Sequence, residues 1–260
     1  MDAVNHSRHI AGSGPSALDW SRDAALAAVE TIGFDDLVPP GARVVVVAPH
    51  PDDEILTCGA LLQLAAQRGD APLIVAVTDG EASHPGSPDW PPQRLRLERA
   101  RETGAALDCL GLDPACVQRL GIPNGSVTAH EYALEQHLAA VVQPGDVVIT
   151  TWRYDGHPDH EATARACITA VRSRGARLLQ APVWGWHWSA PGDGAMPLAQ
   201  ARKLAVPLEA VARKRAALAC FRSQLEPDAS SGAAPILPAR RTLRPDRHQR
   251  TGLLLRRGHH

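Results

Sequence analysis

The sequence lacks the short motifs that mark several common classes of enzyme. It contains no G-x-x-x-x-G-K-[ST] loop, and no G-x-G-x-x-G follows a predicted strand, which disfavours phosphoryl transfer and dinucleotide binding. The H-E-x-x-H helix of the common zinc proteases is missing, and so is the G-x-S-x-G turn of serine hydrolases. Any hydrolytic chemistry in this chain must therefore use a different arrangement of residues.

Features of secreted and membrane proteins are also missing. No apolar run approaches about 18 residues, so we expect no membrane span. The start of the chain has no basic segment followed by an apolar one, which argues against a signal peptide. The five cysteines form no C-x-x-C pair, and their odd number argues against a disulfide framework. These absences favour a cytoplasmic protein.

Charge of either sign is not in excess. The 27 Lys and Arg residues nearly balance the 28 Asp and Glu residues, which gives a formal net charge of -1. No overall field therefore draws nucleic acid or a membrane surface to this protein, and we expect no nucleic-acid partner.

Buried strands alternate with helical patterns along much of the sequence. The apolar runs at 44–48, 72–78 and 147–151 each end in a polar turn, and a helical pattern follows. This order predicts an α/β fold, with a Rossmann-like, mostly parallel sheet, helices on both faces and right-handed crossovers. We expect a further strand over residues 178–188.

Three segments divide the chain of 260 residues, which is long enough for one large domain. Residues 1–40 are predicted to be an N-terminal extension with one helix, from Ala17 to Phe34. Residues 41–226 form the α/β domain. The Pro- and Arg-rich residues 227–260 are predicted to be a C-terminal extension on the surface.

A histidine and three carboxylates follow the first buried strand, in the stretch "APHPDDE". They are His50, Asp52, Asp53 and Glu54. In α/β folds ligands bind at the carboxyl ends of strands, so this cluster lies where chemistry is expected. An Asp that caps a helix would explain one of these carboxylates but not the whole group.

The same arrangement returns about 100 residues later, where "GHPDHEA" follows the strand at 147–151. This stretch carries His157, Asp159 and His160, and Pro158 suits the first turn of a helix. Two histidines and a carboxylate that converge suit Zn²⁺, with a fourth position left for water. A second carboxylate can act as general base, and a further histidine can stabilise the oxyanion or protonate the leaving amine. Spacing alone does not assign these roles.

Together the two motifs resemble those of the PIG-L/LmbE-like family of zinc-dependent N-deacetylases. The resemblance covers about Val44 to Leu225 and extends to "TDGE" at 78–81, to the R-x-x-E helix at 99–102 and to "KRAALACFRSQ" at 214–224. It implies that residues 41–226 are a catalytic domain that binds one zinc ion per chain. The implied ligands are His50, Asp53 and His160.

The resemblance also implies three catalytic roles. Asp52 would be the general base for the attacking water, and His157 would stabilise the tetrahedral intermediate and help the amine leave. Asp159 would orient His157. Glu54 is expected to contact the ligands or the helix terminus rather than the metal.

The expected reaction is hydrolysis of an acetamide on a small N-acetylated sugar, of the N-acetylglucosamine type, or on its conjugate. Two alternatives stay open: a metal-dependent amidase that acts on a bulkier N-acyl conjugate, and a noncatalytic α/β module that binds metal structurally. The family's Asp-Gly turn is replaced here by Asn124-Gly125, and "TTWRYDG" stands before the second motif, so substrate specificity does not carry over.

The roles of four neighbouring features stay open. Residues 81–92 are predicted to be a loop that overhangs the site, and the Arg-rich helix over 92–110 is expected to face solvent, with one inward arginine as the alternative. The stretch Trp184–Trp188 could line a substrate cleft or form an aromatic edge of the core. Tyr154 could reach the site.

Overall fold

A sheet of eight strands organises the chain in this computed structural model, which describes residues 8, 10 and 13–237 and the backbone of residues 251–256. The strands are β1 (Thr31–Ile32), β2 (Val44–Ala48), β3 (Leu73–Thr78), β4 (Val117–Ile122), β5 (Val147–Thr151), β6 (Arg177–Ala181), β7 (Ala201–Ala205) and β8 (Thr251–Arg256). Their order is β1-β7-β8-β6-β5-β2-β3-β4, and all neighbours are parallel except β8, which runs antiparallel to β6 and β7.

Ten α-helices are present in the described part of the chain. They are α1 (Ala17–Ser21), α2 (Ala24–Ala28), α3 (Phe34–Leu37), α4 (Asp53–Arg68), α5 (Pro92–Leu110), α6 (Glu131–Val141), α7 (Pro158–Arg174), α8 (Gly185–Trp188), α9 (Leu208–Leu218) and α10 (Arg222–Leu225). None of the helices in this part is long and apolar enough to span a bilayer.

Strand β2 is buried on both faces, as expected for a strand within a parallel sheet that helices cover on either side. Val44 and Val46 pack with the side chains of α4 and α9, whereas Val45 and Val47 pack with those of α6 and α7. The period-two alternation of a strand separates these two sets. The predicted α/β fold with helices on both faces is therefore confirmed.

The pairing of β2 with β5 places the two polar motifs side by side. The two strands run in the same direction, and Val47 is the register partner of Thr150. The chain after each strand therefore leaves the sheet at the same edge. Residues that are about 100 positions apart in the sequence meet there.

The prediction of one helix from Ala17 to Phe34 is wrong. The carboxylate of Asp23 accepts the N–H of Leu26 at 2.5 Å and starts a new helix, so the segment breaks into α1 and α2. After these helices, Thr31 and Ile32 join the sheet beside β7. Leu26 and Val29 of the apolar pattern are buried, but the capping aspartate divides the segment into two helices.

Two predictions near the C-terminal half also need correction. Residues 251–256 form strand β8 between β6 and β7, so this part of the 227–260 segment belongs to the sheet and not to a surface extension. Residues 238–250 and 257–260 lie outside the described residues. The strand expected over 178–188 ends at Ala181, and the tryptophans that follow lie around the short helix α8.

Candidate metal centre

The first motif forms a tight turn between β2 and α4. Asp52 has a φ of 113°, and it is the one non-glycine residue with positive φ among those the structure describes. Such a conformation is strained for a residue with a Cβ and is typical of functional turns. Two contacts hold the turn: the N–H of Asp52 donates to Glu54 Oε2 at 3.1 Å, and Gln224 Nε2 donates to the carbonyl of Pro51 at 2.5 Å. Asp53 then opens the helix, and its carboxylate accepts the N–H of His50 at 3.0 Å.

The second motif begins helix α7. His157 is the N-cap, and its Nδ1 accepts the N–H of Asp159 at 3.2 Å. The carboxylate of Asp159 accepts the N–H groups of Gly125 at 2.7 Å and Val127 at 3.1 Å. Burial raises the pKa of Asp159, but its hydrogen bond with His50 and these two backbone bonds outweigh burial and keep the pKa below its usual value. Asp159 is therefore an anionic group fixed at the sheet edge.

Three predicted ligands bring one atom each to a common point. His50 Nδ1 lies 3.1 Å from His160 Nε2, and Asp53 Oδ2 lies 3.3 Å from the first and 3.2 Å from the second. Ligands at 2.0–2.1 Å from a tetrahedral zinc ion are about 3.3 Å apart. The three atoms thus form one face of a tetrahedron with the dimensions that zinc requires.

The outer nitrogens of the two histidines each face a carboxylate. His50 Nε2 lies 3.1 Å from Asp159 Oδ2, and His160 Nδ1 lies 2.8 Å from Asp155 Oδ2. Because a carboxylate only accepts, these outer nitrogens carry the hydrogens of the neutral rings, and the two nitrogens that face each other can then present lone pairs to a metal. Two lone pairs and a carboxylate oxygen at this distance require a cation between them. The donors present therefore fit a metal ion.

The electrostatics at His160 agree with this need for positive charge. Burial lowers the pKa of His160, but the carboxylates of Asp53 and Asp155 outweigh it and raise the pKa to about 10. The same surroundings lower the pKa of Asp53, since its hydrogen bonds and charge contacts with the histidines outweigh burial. The pocket holds negative charge that a proton or a metal ion can neutralise.

His157 belongs to the cluster but not to the tight triangle. Its ring centroid lies 4.8 Å from those of both other histidines, and the three imidazoles offer nitrogens within 4.8 Å of one another. A set of three histidines is thus a second way to hold a metal. We prefer the set with Asp53, because its distances are shorter and because Nδ1 of His157 already caps α7. Burial and the neighbouring imidazoles lower the pKa of His157 to about 3, so the ring is neutral.

The structure places Asp159 differently from the expectation. Its carboxylate contacts His50 and not His157, whose contact with this residue is through the backbone N–H. Helix α7 begins between the two residues, and the Asp159 carboxylate is held by His50 and by the N–H groups of Gly125 and Val127. Asp159 therefore orients a predicted ligand rather than the predicted oxyanion donor.

Asp52 and Glu54 are buried beside the triangle, and their pKa values are raised. Burial raises the pKa of Asp52 well above its usual value, and the charges of Asp53 and Glu54 add to this effect, while Arg99 opposes it. Burial also raises the pKa of Glu54 to about 7. A carboxyl group with a raised pKa holds a proton more readily than a solvated one, as general acid–base catalysis requires.

One arginine of the Arg-rich helix α5 points inward. Arg99 is 2% exposed, and its Nη2 donates to Ser83 Oγ at 2.8 Å. Gly80 makes room for it, since a Cβ at that position would overlap Nη1 of Arg99. The alternative of an inward arginine is therefore the correct one, and "TDGE" and the R-x-x-E helix form one buried unit.

The segment after α9 contacts both the Arg-rich helix α5 and the first motif. Ser223 donates to Glu102 through its N–H at 2.7 Å and its hydroxyl at 2.6 Å. The next residue, Gln224, holds the Pro51 carbonyl of the first motif. The stretch "KRAALACFRSQ" at 214–224 therefore supports the turn of the first motif by direct contacts.

The tryptophans after β6 divide between the two roles that the sequence left open. The ring of Trp184 stacks on His157, with 6.5 Å between centroids and an angle of 21° between planes. Trp186 and Trp188 instead pack in a core cluster with Trp20 and Trp152. Tyr154 is 45% exposed and packs edge-on against Trp152. Trp184 alone of the three stands next to the predicted catalytic residues.

Sequence reasoning gave no role to Asp155, which the structure makes a principal contact of the site. Its side chain is fully buried and reaches His160 together with three backbone N–H groups. The one available signal was its position, two residues before the His-Pro-Asp-His motif. That spacing alone does not show which way a side chain in a turn will point.

Comparison with known proteins agrees with the motifs. The PIG-L family, described as GlcNAc-PI de-N-acetylase, matches residues 45–171. A curated relative from Mycolicibacterium vanbaalenii, 1D-myo-inositol 2-acetamido-2-deoxy-alpha-D-glucopyranoside deacetylase, is 30% identical over 197 residues. The match covers 65% of this chain and 66% of the relative, just under two thirds of its length.

Solved structures share the fold. The antimicrobial reagent A40926 pseudoaglycone deacetylase has a TM-score of 0.58 at 25% identity, with 83% of this chain and 96% of that chain covered. A deacetylase from the biosynthesis pathway of teicoplanin has a TM-score of 0.56 at 25% identity, with 70% and 85% covered. Residues 45–171 of this chain therefore form a PIG-L family domain.

Proposed function

We propose that this protein is a zinc-dependent hydrolase that removes the acetyl group from an N-acetylated amino sugar or its conjugate. The observation that carries the proposal is the triangle of His50 Nδ1, Asp53 Oδ2 and His160 Nε2, with edges of 3.1 to 3.3 Å. Three protein ligands leave a fourth position open, which is the pattern of catalytic zinc sites rather than structural ones. This pattern disfavours the noncatalytic module.

The residues around the triangle supply the other parts of an amide hydrolysis. Zinc bound there would polarise the amide carbonyl and lower the pKa of a coordinated water from about 15.7 to roughly 7. Asp52 takes the proton of the attacking water, since burial raises its pKa and lets the carboxyl group hold that proton.

His157 is suited to the oxygen that becomes negative during the reaction. It is neutral, and its Nδ1 accepts a hydrogen bond, so the hydrogen of the ring is on Nε2. An N–H donor aimed at a developing oxyanion contributes about 3 kcal/mol to the transition state. The proton held by Asp52 can then pass to the leaving amine.

The chemistry of the relatives supports the substrate class. The inositol-linked acetamido glucopyranoside of the bacterial relative carries an acetamide on a sugar, and the A40926 and teicoplanin enzymes are named as deacetylases. We therefore propose a small N-acetylated sugar conjugate as substrate.

We also propose the cytoplasm as the compartment, because the five cysteines are unpaired thiols.

A panel of substrates tests this function directly. Zinc-loaded protein is incubated with glucosamine derivatives that carry acetyl, butyryl and octanoyl groups, and the free amine and the released acid are both measured. We expect acetyl derivatives to give acetate and amine in equal amounts, at the highest kcat/KM. Preference for octanoyl would identify the bulkier amidase instead. A zinc-loaded protein that cleaves none of them would contradict the proposal.

A further inference from the structure

Asp155 connects two parts of the site that the chain keeps apart. Its Oδ2 lies 2.8 Å from Nδ1 of His160, on helix α7. Its Oδ1 accepts the N–H groups of Val183 and Gly185, each at 2.9 Å, and its Oδ2 accepts that of Trp184 at 3.0 Å. One buried carboxylate thus holds both a predicted ligand and the turn before α8.

The contact with His160 determines which ring nitrogen faces the metal position. A carboxylate at Nδ1 keeps the hydrogen on that nitrogen. Nε2 then presents its lone pair to the metal position that it shares with Asp53 and His50. Carboxylates in this position also make the ring a better donor to a metal. Without Asp155 the hydrogen could move to Nε2 and block the site.

The contacts with the Val183–Gly185 turn determine where Trp184 stands. Three successive N–H groups of this turn end on the same carboxylate. Trp188 adds a fourth bond, from its Nε1 to the carbonyl of Asp155 at 2.8 Å. The position of Asp155 therefore fixes that of the turn. The turn then places the ring of Trp184 against that of His157.

We propose that Asp155 is a positioning residue that fixes the metal-binding tautomer of His160 and, through the same carboxylate, the place of Trp184 beside His157. This inference rests on the proposed function, because it concerns the same site. It adds a residue that links metal affinity to the position of the Trp184 ring beside His157.

The variant Asp155→Asn tests the link with little change of size. An amide keeps one acceptor for Val183 and Gly185, but its NH₂ group faces both His160 and the N–H of Trp184. His160 can relieve this conflict by moving its hydrogen to Nε2. We expect zinc affinity, measured by competition with a chromophoric chelator, to fall 10- to 100-fold, the usual size for such outer partners.

Asp146→Asn is the matched control. Asp146 is also buried, accepts the N–H of Gln143 at 2.7 Å and pairs with Arg43 at 2.7 Å, at the opposite end of β5. We expect this variant to lose stability but to keep its zinc dissociation constant within about twofold. Equal losses of zinc affinity in both variants would overturn the inference, and so would an unchanged affinity in Asp155→Asn.

A second measurement uses the unaltered protein and so does not depend on how the variant folds. Nitrogen-15 spectra of the histidines in the zinc-loaded protein should show the hydrogen of His160 on Nδ1 and zinc on Nε2. Zinc on Nδ1 would overturn the inference while leaving deacetylation intact. Failure of the unaltered protein to bind zinc would remove the proposed function as well.

Discussion

His50 Nδ1 lies 3.1 Å from His160 Nε2, although 110 positions separate the two residues in the sequence. The parallel pairing of β2 with β5 produces this contact, because each histidine follows one of these neighbouring strands. The outer carboxylates hold the hydrogens of the neutral rings, so both facing nitrogens can present lone pairs to a metal. The proposed metal centre depends on this pair of histidines.

Asp159→Asn should weaken zinc binding as well as turnover. The carboxylate of Asp159 faces His50 Nε2, so the change removes the partner that orients a predicted ligand. We expect about a tenfold weaker zinc affinity, in a chelator competition assay. A normal affinity with reduced turnover would instead favour the original expectation, in which Asp159 serves His157.

Gly80→Ala should destabilise the protein by more than a comparable change at Gly86. Both glycines have positive φ, 66° and 75°, so an alanine is strained at either place. At Gly80 the added Cβ also overlaps the buried guanidinium of Arg99, whereas nothing lies within 4 Å of the same atom at Gly86. Left-handed strain costs about 1–2 kcal/mol, and we expect Gly80→Ala to lose at least 1 kcal/mol more. Urea unfolding of both variants measures the difference. Equal losses in the free energy of unfolding would show that the Arg99 side chain moves away from the added Cβ at little cost.

Lys214→Met should change how stability depends on pH. The ammonium of Lys214 donates to the Leu56 carbonyl at 2.8 Å, and burial lowers the pKa of Lys214 to about 8 from the model-peptide value of 10.5. Between these values the unfolded chain binds the proton and the folded chain does not, so the stability of the unaltered protein rises with pH there. The methionine variant lacks this rise.

We therefore expect the free energy of unfolding of Lys214→Met, relative to the unaltered protein, to fall by about 1–3 kcal/mol from pH 7 to pH 10.5. Unfolding in urea at several pH values measures it. Arg213→Met is the control, because it removes the exposed side chain of the preceding residue on the same helix, and its difference from the unaltered protein should stay constant with pH. A constant difference for Lys214→Met would show that its ammonium is well solvated.

Much of the fold was predictable from the sequence because its signals are local. The β-branched runs at 44–48 and 147–151 and the helix Pro92–Leu110 have the periodicity that burial imposes, and the structure has them at or near the predicted bounds. The order of these elements is sufficient to place His50 and His160 at one sheet edge. Strand β8 was missed because a short apolar run in an Arg-rich tail gives no sign of its partners.

The finer contacts of the site could not be predicted, because they depend on side-chain directions in turns. Asp155 and Asp159 are only four positions apart in the sequence, yet the first reaches His160 and the second reaches His50. Arg99 points inward among exposed neighbours because Gly80 leaves space for it. These are consequences of three-dimensional packing that no single-sequence pattern encodes.

We propose that two adjacent carboxylates have different tasks. Asp53 holds the metal, and Asp52 takes the proton of the attacking water. The most direct test is to measure zinc content and acetate release together in Asp52→Asn and Asp53→Asn. We expect Asp52→Asn to bind one zinc ion per chain and to lose at least about 100-fold in kcat, and Asp53→Asn to lose the metal itself. Normal turnover in Asp52→Asn, or full zinc content with normal affinity in Asp53→Asn, would contradict the account.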